Sequence, residues 1–463
     1  MPLMVSISGI RGVIGDTLTP DTITRYAAAY AAYCRIRANG QPTIIVGRDG
    51  RITGKAVTDT LVGALQLAGA RVVNIGICPT PTVQLAIEHE HAHGGVAVTA
   101  SHNPMQWNGL KFMASTGLFL DATENAEFWA LAAMPPVYQP WDGVGDERVD
   151  ATWLQRHVDA VLRLPLLDLA VIRRRKFAVV LDCVNAAGGM IVPGLLRSLG
   201  CTVDEMQCDV SGVFQHTPEP IPENLTALAA RVAATHADLG IAVDPDVDRL
   251  VLINERGEFY GEEYTVSTAV DFVLKNRGRL GAAQGIPRVV INLSTTRAVE
   301  DIARRYGAEV IRTPVGEINV ASTMRDIGAI IGGEGSGGVI LPAVHLGRDA
   351  IVGIGLVLQH LAESGGTLSA LKASLPQYAI AKGKLELRGV APDDVLAAMQ
   401  ERHGTQGKVN TQDGIRIDYP EYWVHLRKSN TEPIIRIIAE AATPAQAQSV
   451  VESFRKEISS IMG

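Results

Sequence analysis

The sequence predicts an α/β fold: three similar α/β/α domains with mixed sheets, followed by a smaller C-terminal α+β domain. Three observations point there. Apolar β-rich runs alternate with amphipathic stretches of helical period, the pattern of strands covered by helices. One order, strand-helix-strand-helix-strand, occurs three times along the chain. Each occurrence ends in a loop rich in polar residues or glycine: TASHNP, DPDVDR and GEGSGG.

In the first unit, the strand TIIVGRD (43–49) is followed by a helical stretch (54–69), RVVNIGI (71–77), a second helical stretch (80–91) and GVAVTA (95–100). The second runs KFAVVLDC (176–183), helix 187–199, CTVDEMQ (201–207), helix 223–236 and LGIAVD (239–244). The third runs RVVINLS (288–294), helix 296–306, AEVIRT (308–313), helix 317–327 and AIIGGE (329–334). The remainder breaks the pattern. KGKLELRG, a helix over 392–403, a two-stranded signal around 414–426, the strand PIIRIIAEA (433–441) and a helix over 443–461 form a small α+β domain. The domains are expected at 1–150, 151–256, 257–375 and 376–463. Open α/β sheets bind ligands at the carboxyl ends of their strands, so three such loops can converge on one cleft.

Composition narrows the function. Of 463 residues, 47% are apolar and 20% charged, which excludes wholesale disorder. With 42 Lys and Arg against 49 Asp and Glu, the net charge is −7. That balance argues against nucleic acid or an anionic membrane as partner, while a few local cations can still hold a phosphorylated ligand. The longest apolar run, 350–358, is far short of the ~20 residues of a membrane span. No signal peptide is visible at the start. Five scattered cysteines without a CxxC fit reduced thiols and a cytoplasmic location.

Four constellations carry chemistry. Ser101 ends a buried strand beside His102, with Lys111 close in sequence; such a serine can be a nucleophile, a phosphate carrier or an ordinary helix cap. Asp244, Asp246 and Asp248 alternate in one strand-end loop with Arg249. Oxygen-only ligands at this density suit Mg²⁺ or Ca²⁺ rather than zinc. An EF-hand is excluded, because Arg249 occupies the position needing glycine and strand-like LVLI follows. Glu334 and Ser336, among glycines, offer acceptors and a donor to sugar hydroxyls. Arg427, Ser429, Asn430 and Thr431, with Arg436 beyond, make a phosphate cradle or an exposed turn. Arg11 in SGIRG could bring a cation to a phosphate. The EHEHAH run (His89, His91, His93) reads as a solvated turn rather than a metal site.

Together these residues resemble the α-D-phosphohexomutase family, which includes phosphoglucomutase, phosphomannomutase and phosphoglucosamine mutase. TASHNP with Lys111, DPDVDR, the GEGSG loop and RKSNTEP occur in the family's order. GIRG (9–12), GRDGR (47–51), PTPT (79–82), PEPIPENL (218–225) and TPVG (313–316) support them. The resemblance implies four domains and a phosphoserine enzyme interconverting hexose 6-phosphate and hexose 1-phosphate through a 1,6-bisphosphate, which also serves as activator. It implies Ser101 as the phosphorylated serine, and one Mg²⁺ on Asp244, Asp246, Asp248 and a phosphoserine oxygen. Arg249 would neighbour the transferring group, and Arg11, His102 and Lys111 are candidates for proton transfer and charge stabilisation. Glu334, Ser336 and Gly316 would face the sugar, and Arg427, Ser429, Asn430 and Thr431 the distal phosphate. The bisphosphate must turn end over end, which a mobile fourth domain suits. The expected partners are sugar phosphates, with no nucleic acid or membrane, for a monomer or homodimer.

The chain departs from the family at three places. Several relatives carry a basic residue where Glu317 stands, histidine where Gly338 stands and lysine where Ser294 stands. Together with SISGIRG, TASHNPMQWN and GRDA, these favour glucosamine phosphate as substrate, with Glu317 or Glu334 candidates to meet its amino group. A phosphomannomutase/phosphoglucomutase is the alternative. A metal-dependent sugar phosphatase and a catalytically silent sugar-phosphate binder are more distant.

Overall fold

The computed structural model describes residues 3–281, 285–387, 389–428 and 434–461. Its strands form four sheets. The three parallel strands of each α/β unit lie in one order, the third beside the first and the first beside the second. In the first sheet these are Gly94–Val98, Thr43–Arg48 and Arg71–Ile77. In the second they are Leu239–Val243, Ala178–Asp182 and Thr202–Met206. In the third they are Ile331–Glu334, Arg288–Asn292 and Glu309–Thr313. The first sheet is extended by Met4–Ser6 and Gly9–Val13 at one edge and Glu147–Val149 at the other, seven strands in all.

Each unit has a further strand that the repeat pattern did not include. Trp107–Ala114, Leu250–Asn254 and Gly338–Ile340 each run antiparallel to the third strand of their unit. The three polar loops are therefore the turns of three equivalent hairpins. WNGLKFMA is buried at every position yet carries Asn108, Gly109 and Lys111. Polar residues and glycine in a buried strand break the apolar run by which strands are read.

The fourth sheet is antiparallel, in the order Ala379–Glu386, Ile434–Ala441, Tyr422–Lys428, Ile415–Asp418, Lys408–Asn410. Helices Pro392–His403 and Pro444–Ile461 supply Val395, Met399, Val451, Phe454 and Ile458 to its core. That core contains only residues of this lobe. The other lobes share theirs. One cluster runs from Val158 to Leu375 through the second and third lobes, and another joins Ile45 and Val73 to Val290, Ile318 and Met324. Helix Ala350–Ser364 lies in the first of these; it is buried on all sides as far as Ala362 and mostly apolar, as suits a helix enclosed by protein.

Candidate active site

Ser101 lies in the first hairpin turn, 2% exposed, with a left-handed φ of +49°. A non-glycine residue in that region costs about 1–3 kcal/mol and persists only when its surroundings enforce it. Arg51 enforces it. Its guanidinium donates to the carbonyls of Ser101 (2.5 Å), Asn103 (2.7 Å), Pro104 (2.8 Å) and Trp107 (3.0 Å), and its Nε to Asp49 Oδ2 (3.0 Å). Asp49 also accepts from Thr99 Oγ1, which in turn accepts from the Ser101 amide. GRDGR and TASHNP are thus one unit, joined by a buried cation that holds four carbonyls.

The second hairpin turn brings its acids to this serine. The Ser101 hydroxyl donates to Asp244 Oδ2 at 3.1 Å. Asp244 Oδ1 accepts from the amides of Asp248 and Arg249. Asp246 Oδ2 accepts from Lys111 Nζ (2.6 Å) and Thr80 Oγ1 (2.7 Å), and Asp248 Oδ2 from Arg348 Nη2 (2.5 Å). All three aspartates are buried, and an oxygen from each lies within 4.8 Å of the others. Asp246 Oδ1 and Asp248 Oδ1, both buried, have no hydrogen-bond donor. An orphaned buried carboxylate oxygen is costly, and two in an all-oxygen set fit a hard divalent cation. Burial, then the charges of Asp248 and Asp246, push the Asp244 carboxyl well above the usual range. Burial works against the Lys111 ammonium, but Asp246 and Asp248 outweigh it and raise it.

His102 Nδ1 stands 3.3 Å from the Ser101 hydroxyl. Burial, helped by Arg249 and Arg11, pulls the imidazole down to about 3, so it is neutral at physiological pH. Arg11 Nη1 donates to Asn103 Oδ1 at 3.1 Å, and Arg249 Nε lies 3.9 Å from Asp248 Oδ1. The first two turns therefore gather Ser101, His102, Lys111, Arg11, Arg249 and the three aspartates.

A cavity of about 600 Å³ adjoins this cluster, within the range of small-molecule sites. Arg249, Asn292, Glu334, Ser336 and Arg348 line one side, and Lys382, Lys384, Arg427 and Arg436 of the fourth lobe the other. Glu334 Oε1 accepts from Asn292 Nδ2 (2.8 Å) and the Gly316 amide (2.9 Å). Gly335 has no room for a Cβ, which would run into the Glu263 carboxylate. Ser294 donates to His425 Nδ1 at 2.9 Å; it bridges lobes. Arg427 pairs with Asp413 at 2.9 Å. Ser429, Asn430 and Thr431 lie outside the described residues.

Sequence reasoning missed several residues here. Arg51 and Thr80 appear only within supporting motifs, although they hold Ser101 and Asp246. Lys384, Arg436 and Arg427 are consecutive cross-strand partners in one row of the fourth sheet. The alternation in KGK signals two lysines on one strand face, but only the sheet order shows which arginines join them. Arg348, noted only inside GRDA, bridges Asp248, Glu334 (3.0 Å) and Glu317 (3.1 Å). Glu317 and Glu334 are thus both engaged by one guanidinium.

Comparison with known proteins agrees with this architecture. Models of the phosphoglucomutase/phosphomannomutase α/β/α domains I, II and III match residues 4–133, 155–257 and 262–378, and that of the C-terminal domain matches 384–457. A Thermococcus kodakarensis protein named "Phosphoglucomutase/phosphomannomutase" is 35% identical over 96% of both chains. A Methanopyrus kandleri protein named "Probable phosphoglucosamine mutase" is 33% identical over 96% of both. The crystal structure of a phosphoglucomutase/phosphomannomutase family protein from Burkholderia thailandensis superposes with a TM-score of 0.82 at 27% identity, covering 98% of this chain and 97% of that one. With all four domain models matched in order and whole-chain relatives above 30% identity, the chain belongs to the phosphoglucomutase/phosphomannomutase family of phosphohexomutases, which are isomerases.

Proposed function

We propose that the chain interconverts a hexose 6-phosphate and the hexose 1-phosphate by way of phospho-Ser101 and a hexose 1,6-bisphosphate, with glucosamine phosphate as the substrate. The observation that carries this is the Ser101 hydroxyl 3.1 Å from Asp244, beside two buried carboxylate oxygens that lack a donor. Asp244, Asp246 and Asp248 would hold Mg²⁺, which when bound neutralises charge on the transferring oxygens. A sugar hydroxyl attacks the phosphorus of phospho-Ser101. The bond from phosphorus to the serine oxygen breaks as the bond to the sugar oxygen forms, and the hydroxyl proton passes to a neighbouring acceptor. Neutral His102 is such an acceptor. Lys111, Arg11 and Arg249 offset the charge on the serine oxygen as it leaves. After the bisphosphate turns over, the reverse transfer restores phospho-Ser101.

In this reading Glu334, Ser336 and Gly316 face the sugar. Arg427, with Ser429, Asn430 and Thr431, grips the distal phosphate, and the row Lys384–Arg436 extends that grip. The domains divide at 1–150, 151–256, 257–375 and 376–463. Ser101 is almost wholly buried, which weighs against a phosphatase that must admit water. The free thiols of all five cysteines support a cytoplasmic enzyme, and among the described residues no helix is long and apolar enough to cross a membrane.

One observation favours a second substrate reading. Glu317 and Glu334 are each paired with Arg348, so neither is free to meet the glucosamine amino group on its own. That suits the 2-hydroxy sugars of a phosphomannomutase/phosphoglucomutase. Assays with glucosamine, glucose and mannose 6-phosphates, Mg²⁺ and catalytic 1,6-bisphosphate decide between them. Intact mass should show one phosphate per chain, absent in Ser101→Ala, which should fold and lose turnover. A Ser101→Ala protein with wild-type activity would overturn the phosphoserine.

A further inference from the structure

Arg348 lies two residues before the start of helix Ala350–Ser364 and is 9% exposed. Its three nitrogens are divided among three acids of two lobes. Nη2 donates to Asp248 Oδ2 (2.5 Å), Nη1 to Glu334 Oε2 (3.0 Å) and Nε to Glu317 Oε2 (3.1 Å). The Arg348 amide also donates to Glu317 Oε1 (3.2 Å). The contact to Asp248, shorter than the 3.5 Å one that Lys111 Nζ makes to the same Oδ2, turns Oδ1 to the side without a donor.

Two features of the chain make sense only with this side chain in place. A Cβ on Gly338 would overlap Arg348 Cδ and come within 2.9 Å of its Cγ, so glycine there leaves the room that Arg348 fills. Glu317 is buried and acidic, with Arg348 as its cation. The backbone is held as well. Asp349 caps the helix through Ile351 N (2.8 Å) and Val352 N (3.4 Å), and its other oxygen accepts from His157 Nε2 (2.8 Å) and His345 Nε2 (3.1 Å).

We infer that Arg348 is a positioning residue that fixes Asp248 and Glu334 in one register, so that binding of a divalent cation and binding of a hexose phosphate are coupled through it. The coupling to sugar rests on the function proposed above; the orientation of Asp248 does not. Hydrogen-bond partners that orient metal ligands are worth about 10- to 100-fold in metal affinity. A lysine at 348 keeps the charge but cannot span three carboxylates.

The test is calorimetry on the full, dephosphorylated chain, titrated with Mg²⁺ alone and with glucosamine 6-phosphate in the presence and absence of Mg²⁺. In wild type, Mg²⁺ should change the sugar-phosphate affinity. Arg348→Lys should bind Mg²⁺ about 10- to 100-fold more weakly and lose that dependence. Gly338→Ala, which keeps every charge but crowds the Arg348 side chain, should shift both in the same direction. If Arg348→Lys fails to fold, Gly338→Ala decides alone. Wild-type Mg²⁺ affinity in a folded Gly338→Ala protein would overturn the inference. A wild-type chain that binds Mg²⁺ but no sugar phosphate would instead sink the proposed function and leave the Mg²⁺ arm readable.

Discussion

Arg51 shows how much one side chain can determine. It is 1% exposed and pairs with a buried acid, Asp49. Removing one partner of such a pair typically costs about 3–5 kcal/mol, because the other charge stays buried and unpaired. Four backbone carbonyls would each lose a charged donor as well. Arg51→Met should therefore unfold at markedly lower denaturant than wild type, by an amount in that range. The folded fraction should also fail to hold phosphate on Ser101, because its left-handed turn is no longer enforced. A variant with wild-type unfolding would show that the carbonyl contacts contribute little. Lys111 follows the same logic in a different role. Its ammonium, kept charged by Asp246 and Asp248, also orients Asp246 so that Oδ1 is left without a donor.

The hairpin is the recurring element. Three times a parallel strand turns into an antiparallel one, and three times the turn carries polar groups, so the same backbone positions a serine, an acidic triad and the buried carboxylate of Glu334. The fourth sheet works differently, presenting cations from strand faces. Lys384, Arg436 and Arg427 stand opposite one another across three strands, where like charges are destabilising by up to about 1 kcal/mol. Among the described residues, neither Lys384 nor Arg436 has a side-chain ion-pair partner. An anion bound along the row would offset that repulsion. Lys384→Ser combined with Arg436→Ser should raise the KM for hexose phosphate about tenfold, the ~1.4 kcal/mol of one charge-assisted contact. The same protein should be slightly more stable than wild type when unliganded. An unchanged KM would remove the row from the phosphate grip.

At the scale of the molecule, the first three lobes are joined through shared apolar cores, while the fourth docks on the third through polar contacts. Val315 N donates to Asp413, Arg297 N to Glu440, Arg416 to the Leu293 carbonyl and Ser294 to His425. Polar interfaces open more readily than apolar ones, which suits the lobe motion that the proposed turning of a bisphosphate would require. In the neutral imidazole, Nε2 donates to the Asp413 carbonyl and Nδ1 accepts from Ser294. Burial pushes His425 down to about 4, with Arg427 assisting. A histidine depressed in the folded state contributes stability that is complete above its unfolded value of about 6.5 and is lost as pH falls toward 4. Docking of the fourth lobe should therefore loosen over that window, read as a falling melting temperature and a larger radius of gyration by X-ray scattering. In His425→Gln the dependence should flatten; an unchanged profile would assign it to other groups.

The sequence alone determined the three-fold repeat, the distinct final lobe and the order of the motifs, because strand and helix periodicity and strand-end loops are local properties of the chain. It also named the residues that the first two hairpins gather, since each lies in a short motif. The antiparallel strand that follows each polar loop escaped the repeat pattern, most plainly where polar site residues interrupt an apolar run, as in WNGLKFMA. Only the tertiary structure decided what depends on distance in space. The partner of Asp248 lies 100 residues away in Arg348, the anchor of the Ser101 turn 50 residues before it in Arg51, and the basic row is assembled from strands far apart in the chain. Electrostatic pairing falls off over a few ångströms and ignores sequence separation, so the fold chooses which charges meet.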